Sequence, residues 1–125
     1  MDPESGSTRL AGILHNLNSL GGFSISVLTD RDGLLLASAC SPDWDSEKQA
    51  AVVAVIQRAA QQTEGVEMGR ADEVTVRDSQ GRRLVCRPFA VMDRVLILGV
   101  LAENGRAYRR ATNDAVREIR LTWGD

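Results

Sequence analysis

Ala50-Ala51-Val52-Val53-Ala54-Val55-Ile56 puts seven apolar residues in a row, nearly two turns of chain if the segment is helical. A helix lying on one surface needs only an apolar stripe, so one that is apolar all round must be covered on several sides. At roughly 100° per residue, Val52, Val55, Ile56 and Ala59 fall on one face, and Ala50, Val53, Ala54, Gln57 and Gln61 on the opposite one. The bulkier first group reads as core. The second group is small, weakly apolar and edged by glutamine, which suits the close approach of another helix better than open water. The expectation is that a second chain lies against Ala50, Val53, Ala54, Gln57 and Gln61.

Working outward from this helix, Ser41-Pro42-Asp43 breaks the chain before it, and Asp43, Asp45 and Glu47 place negative charge at its N-terminus. The predicted span is Asp45 to Glu64, with Trp44 as a packing plug at its entrance. Upstream, Leu10, Ile13, Leu14, Leu17 and Leu20 recur at helical spacing and Gly21-Gly22 ends the run. Phe23 to Asp30 alternates as a strand, Asp30-Arg31-Asp32-Gly33 turns it, and Leu34 to Cys40 returns. Asp30 and Asp32 are read as turn formers and not as a metal or acid-base pair, because no further ligands flank them.

Downstream, Glu73 to Arg77 reads as a strand, Asp78-Ser79-Gln80-Gly81 as a turn, and Arg82 to Val91 and Arg94 to Ala102 as two strands joined at Met92-Asp93. Pro88 marks an edge or bulge. Val95 to Leu101 is apolar on both faces and is therefore expected at the centre of the sheet. A last helix follows Asn104-Gly105, with Tyr108, Ala111, Ala115, Ile119 and Thr122 on one side. The predicted class is α+β, a five-stranded, largely antiparallel sheet with the middle helix on one face and the two terminal helices on the other.

With 125 residues, 43% of them hydrophobic, the chain suffices for one domain, expected over residues 8–125 after a flexible linker at 1–7. A net charge of -2 argues against nucleic acid as the main partner. No run approaches a membrane span, and no signal peptide is evident, so a cytoplasmic location without membrane insertion is expected. Cys40 and Cys86 lie in apolar stretches without ligand spacing and are expected to be buried free thiols. Lys48 is the only lysine among many arginines, the usage of a GC-rich bacterial genome.

The segment Gly21 to Ser38, with its Phe23-Ser24-Ile25-Ser26-Val27-Leu28-Thr29-Asp30 strand and Asp32-Gly33 turn, resembles the opening hairpin of the Roadblock family, relatives of the dynein light chains. The alanine-rich helix near Ser46, the Gly81 hairpin and the strand Val95 to Ala102 continue the resemblance over Leu10 to Trp123. It implies that two subunits join through the middle helix and the edge strand after it into a continuous ten-stranded sheet. The implied interface comprises Ala50, Val53, Ala54, Gln57 and Gln61 on the helix and Val74, Thr75 and Val76 on the edge. Val53→Glu is then the expected way to break the dimer.

No nucleotide-binding Gly-x-x-x-x-Gly-Lys-Ser/Thr loop is present, and the single histidine, His15, has no carboxylate, Cys or second His placed around it in sequence. No catalytic, metal or cofactor residue is therefore assigned. The resemblance implies instead a homodimeric regulator or scaffold that binds a small Ras-like GTPase and stimulates its hydrolysis by positioning, not by new covalent chemistry. The alternative is an adaptor for a kinase, motor or membrane-complex subunit. A small-molecule sensor is disfavoured by the abundance of bulky aliphatics. Arg58, Arg82, Arg83, Arg87 and Arg94 have the right chemistry for a phosphate-reaching finger, but solvated surface arginines are the simpler reading. The arginines of the last helix, Arg106, Arg109, Arg110, Arg117 and Arg120, are offset by Asp114 and Glu118 and are read as a solvated face.

Overall fold

The computed structural model describes residues 6–124. Helix α1 (Gly6–Gly21) buries Leu10, Leu14 and Leu17. It stops where Gly22 adopts φ +69 and donates its N–H to the Asn18 carbonyl at 2.8 Å, a left-handed exit that glycine accommodates without strain. The expected linker at 1–7 lies mostly outside the described residues, and Gly6 and Ser7 already belong to α1. Strands β1 (Phe23–Asp30) and β2 (Leu35–Cys40) form a hairpin. Its turn is held by the Asp30 carboxylate, whose Oδ1 accepts from the N–H groups of Asp32 at 2.9 Å and Leu34 at 3.0 Å. Asp30 is thus a turn former, as its spacing predicts.

Helix α2 (Ser46–Ala60) starts at Asp45, whose side chain caps the Lys48 N–H at 3.1 Å. A 3-10 segment, Gln61–Val66, carries it on. Strands β3 (Val74–Arg77), β4 (Arg83–Val91) and β5 (Arg94–Ala102) follow, and α3 (Arg109–Gly124) closes the chain. The sheet order is β2-β1-β5-β4-β3, every pair antiparallel. β5 is therefore central, as its apolar run requires, and β3 is an edge.

Alternation along each strand divides the core in two. Leu28, Val85, Phe89, Leu96, Leu98 and Val100 meet Leu14 of α1 and Ile119 of α3 on one side. Ile25, Val27, Cys86 and Ile97 meet Val53 of α2 on the other. The α+β architecture is thus the expected one, with the middle helix alone on its face. Pro88 stands where β4 has outrun β3, whose pairing ends at Val74 opposite Cys86. That is the strand edge its missing N–H demands. Leu20, placed on the α1 stripe by spacing, is exposed.

Candidate interaction surface

The face of α2 that meets the sheet is the one expected to meet a second chain. Ala50, Val53, Ala54 and Gln57 are buried within their own fold, together with Ala60. Val52 is 41% and Val55 57% exposed, and Ala59 is exposed as well. Only Ile56 of the expected core group is partly buried. The reason is distance of approach. A Cβ on Gly99 of β5 would stand 2.8 Å from Val53 Cγ2, and one on Gly33 would stand 2.7 Å from Ala54 Cβ. The helix is seated closely because glycines stand opposite Val53 and Ala54, and this seating turns Val52 and Val55 outward. Ala50, Val53, Ala54 and Gln57 are therefore packed against their own sheet and are not an open face for a second helix.

What α2 offers outward is a seam at Lys48, Val52, Val55 and Ala59, spaced four, three and four residues apart. That alternation keeps one stripe aligned along a helix and is the spacing used in helix pairing. Gln61 is exposed too, and on the strand Val74 is half-buried, Thr75 exposed and Val76 46% exposed. Strand β3 has β4 on one side and, among the described residues, no strand on the other. Its outer N–H and C=O groups are available for pairing. Val66 and Met68, after the helix, add exposed apolar side chains that the sequence pattern did not single out. Their polar, glycine-containing surroundings carried no periodicity that could have flagged them.

Glu73, just before β3, is a hub that fixes this edge. It accepts a hydrogen bond from the Tyr108 hydroxyl at 2.6 Å and lies 3.9 Å from Arg87 and 3.7 Å from Arg109. The bond to Glu73, then burial and the negative charge, hold the Tyr108 phenol above its ordinary range.

Most of the arginines are occupied within the chain. Arg82 pairs with Asp78 at 2.9 Å. Arg83 donates to the carbonyls of Glu103 and Arg106 and lies over the Tyr108 ring. Arg87 donates to Thr112 Oγ1 at 2.7 Å, and Arg94 covers the Trp123 ring. Arg58 is exposed on α2. In the last helix, Arg117 pairs with Asp114 at 3.4 Å and Arg120 donates to the Ala90 carbonyl at 2.9 Å. Structural tethering thus replaces the purely solvated reading for several of them.

Two smaller expectations are corrected. Trp44 is 36% exposed and does not plug the core, and Cys40 is exposed at the end of edge strand β2 while Cys86 alone is buried. Both thiols are free. Burial pushes the Cys86 thiol up to about 12. Among the described residues, no group of three or more His, Cys, Asp or Glu could hold a metal ion, and no helix is long and apolar enough to cross a membrane.

Solved structures place this geometry. Myxococcus xanthus MglB superposes with a TM-score of 0.80 at 18% identity, over 99% of this chain and 93% of that one. The fold is that of the Roadblock domains. The gliding protein MglB of Thermus thermophilus matches at 0.77 and 15% identity, over 98% and 97% of the two chains. A Roadblock/LC7 domain from Streptomyces avermitilis matches at 0.71 and 16%, over 91% and 94%. No family model matches the sequence, and neither does any curated protein. The Roadblock likeness thus resides in the backbone, which low identity leaves intact when core volume and patterning are kept. Within the Roadblock fold, the seam on α2 and the open edge of β3 lie on consecutive elements.

Proposed function

We propose that this chain is a regulatory subunit that pairs with a second copy of itself through the outer seam of α2 and the edge of β3, and that the pair binds a small Ras-like GTPase and stimulates its hydrolysis. The pairing stands on Val52 and Val55, two bulky valines left in water on the same stripe beside an unpaired β-branched edge. A symmetric partner satisfies both at once, because helix packs on helix and edge pairs with edge in one isologous contact. Covering a valine of this kind contributes about 1.5 kcal/mol or more on area bookkeeping. The role as a regulator of another protein's chemistry is supported by the Roadblock fold, by the resemblance of the Gly21 to Ser38 hairpin to that family, and by the tethering of the arginines. With Arg82, Arg83, Arg87 and Arg94 engaged, four of the five arginines considered for a phosphate-reaching finger are committed within the chain, which favours acceleration by positioning the GTPase's own groups.

Sedimentation equilibrium tests the pairing. The wild type is expected to sediment as a dimer and Val55→Glu as a folded monomer. A wild type that stays monomeric at high concentration would overturn it. Mixing the protein with Ras-like GTPases in each nucleotide state tests the role: faster GTP turnover marks an activator, binding without faster turnover a scaffold or adaptor, and no binding in any state refutes the GTPase reading.

A further inference from the structure

Where β4 outruns β3, a cleft of about 420 Å³ opens between the strand and the C-terminal half of α2. Its size is within the range of about 300–1,000 Å³ usual for small-ligand sites. Ala60, Pro88, Ala90, Val95 and Ile97 give it an apolar lining, and Gln57 reaches it from α2. Gln57 is only 7% exposed, yet its Oε1 accepts no hydrogen bond among the described residues. A buried acceptor without a donor is costly, and native folds rarely leave one unless something else supplies the donor.

The chemistry of the walls narrows what that is. An added peptide strand finds little to pair with along this stretch of β4, because Pro88 has no N–H and the Ala90 carbonyl already accepts from Arg120 at 2.9 Å. A charged ligand gains nothing from the rim, where Arg31 and Arg70 are balanced by Glu64 and Asp72, and Arg70 stands 3.9 Å from Glu64. A neutral body suits the lining. A flat one suits it best, since Pro88 offers its ring face and the rim guanidinium groups of Arg31 and Arg70 can stack on an aromatic face. We propose that the cleft binds a neutral aromatic ring carrying one N–H or O–H donor, an indole or a phenol, with the donor on Gln57 Oε1. The proposal does not depend on pairing or on a GTPase.

The test is an NMR titration of the full-length, isotope-labelled chain with indole, phenol and 1-methylindole, the last keeping the ring and lacking the donor. Saturable shifts at Val95, Ile97 and the Gln57 side-chain amide are expected with indole and phenol. Binding of 1-methylindole should be about tenfold weaker, the worth of one buried hydrogen bond. In Gln57→Leu the difference between indole and its methylated form should vanish. N-acetyltryptophanamide separates two sources of the ring: binding as tight as indole admits a side chain on a polypeptide, and exclusion restricts the site to a free small molecule. Absence of saturable shifts with both indole and phenol would overturn the proposal, as would equal binding of indole and 1-methylindole by the wild type. That last comparison stands even if Gln57→Leu fails to fold.

Discussion

The inner face of α2 is Ala50, Val53, Ala54, Gln57 and Ala60, and the outer face is Ala51, Val52, Val55 and Ala59. Both are mixtures of alanine and valine, and hydrophobicity alone does not say which should be dry. The difference lies in what each meets. The inner face rests on Gly99 and Gly33, which let the helix approach until a single methyl group would clash. The outer face is left exposed. Side-chain size on a packed helix is thus set by the surface opposite it, and a small-residue stripe can mark the tighter of two contacts within one fold as readily as a contact between two molecules.

Charges separate the two faces most sharply. Val53 is fully buried, so Val53→Glu places an unpaired carboxylate under the sheet and is expected to cost more than about 4 kcal/mol, abolishing the cooperative thermal transition. Val55→Glu, on the exposed face, is expected to keep a cooperative transition and to lose only the stabilisation that pairing adds, a loss that shrinks as the protein is diluted. Equal destabilisation by the two would erase the distinction. Gly99→Ala is the next largest effect. Its Cβ would stand 2.8 Å from Val53 Cγ2, an overpacking expected to cost about 1–3 kcal/mol in denaturant titration. A neutral outcome would mean that α2 lifts freely from β5.

The same contrast explains what could be read from the chain beforehand. The order of elements, the central place of Val95 to Leu101, the turn at Asp30 and the edge signalled by Pro88 were legible because each depends on local backbone chemistry or on a two-residue alternation. The rotation of α2 was not, because it depends on Gly33 and Gly99, two residues remote in sequence whose lack of a side chain decides how close the helix comes. Val74, Thr75 and Val76 were legible as a strand from their branched side chains and as an edge only through what the Roadblock resemblance implies, while Val66 and Met68 lie in an irregular stretch with no period to read. The cleft at Gln57 joins α2 to β4 and β5, and a glutamine near the end of an alanine-rich helix gives no sign that it will be buried.

Two finer measurements sharpen the comparison further. Cys86 belongs to the inner core with Val53, and its thiol is pushed up to about 12 by burial, whereas Cys40 is exposed. Alkylation at pH 8 should therefore modify Cys40 at least about a hundredfold faster, and Cys86 should react only as the fold opens. Equal rates would show the inner face to be wet.

The smallest effect concerns the outer surface, where Glu73 and Tyr108 hold the start of β3. Because the folded state raises the Tyr108 phenol, its contribution is complete below the ordinary tyrosine range near 10 and is lost as pH climbs through the raised value. Both groups are partly solvated, so the whole contribution, and the cost of Tyr108→Phe, should stay below about 1 kcal/mol. Its distribution matters more than its size. Amide exchange at Val74 to Arg77 should quicken in Tyr108→Phe while the central strand, Arg94 to Ala102, keeps its protection. Uniform acceleration across both strands would mean that Tyr108 supports the core and not the edge, and that the outer surface has no anchor of its own.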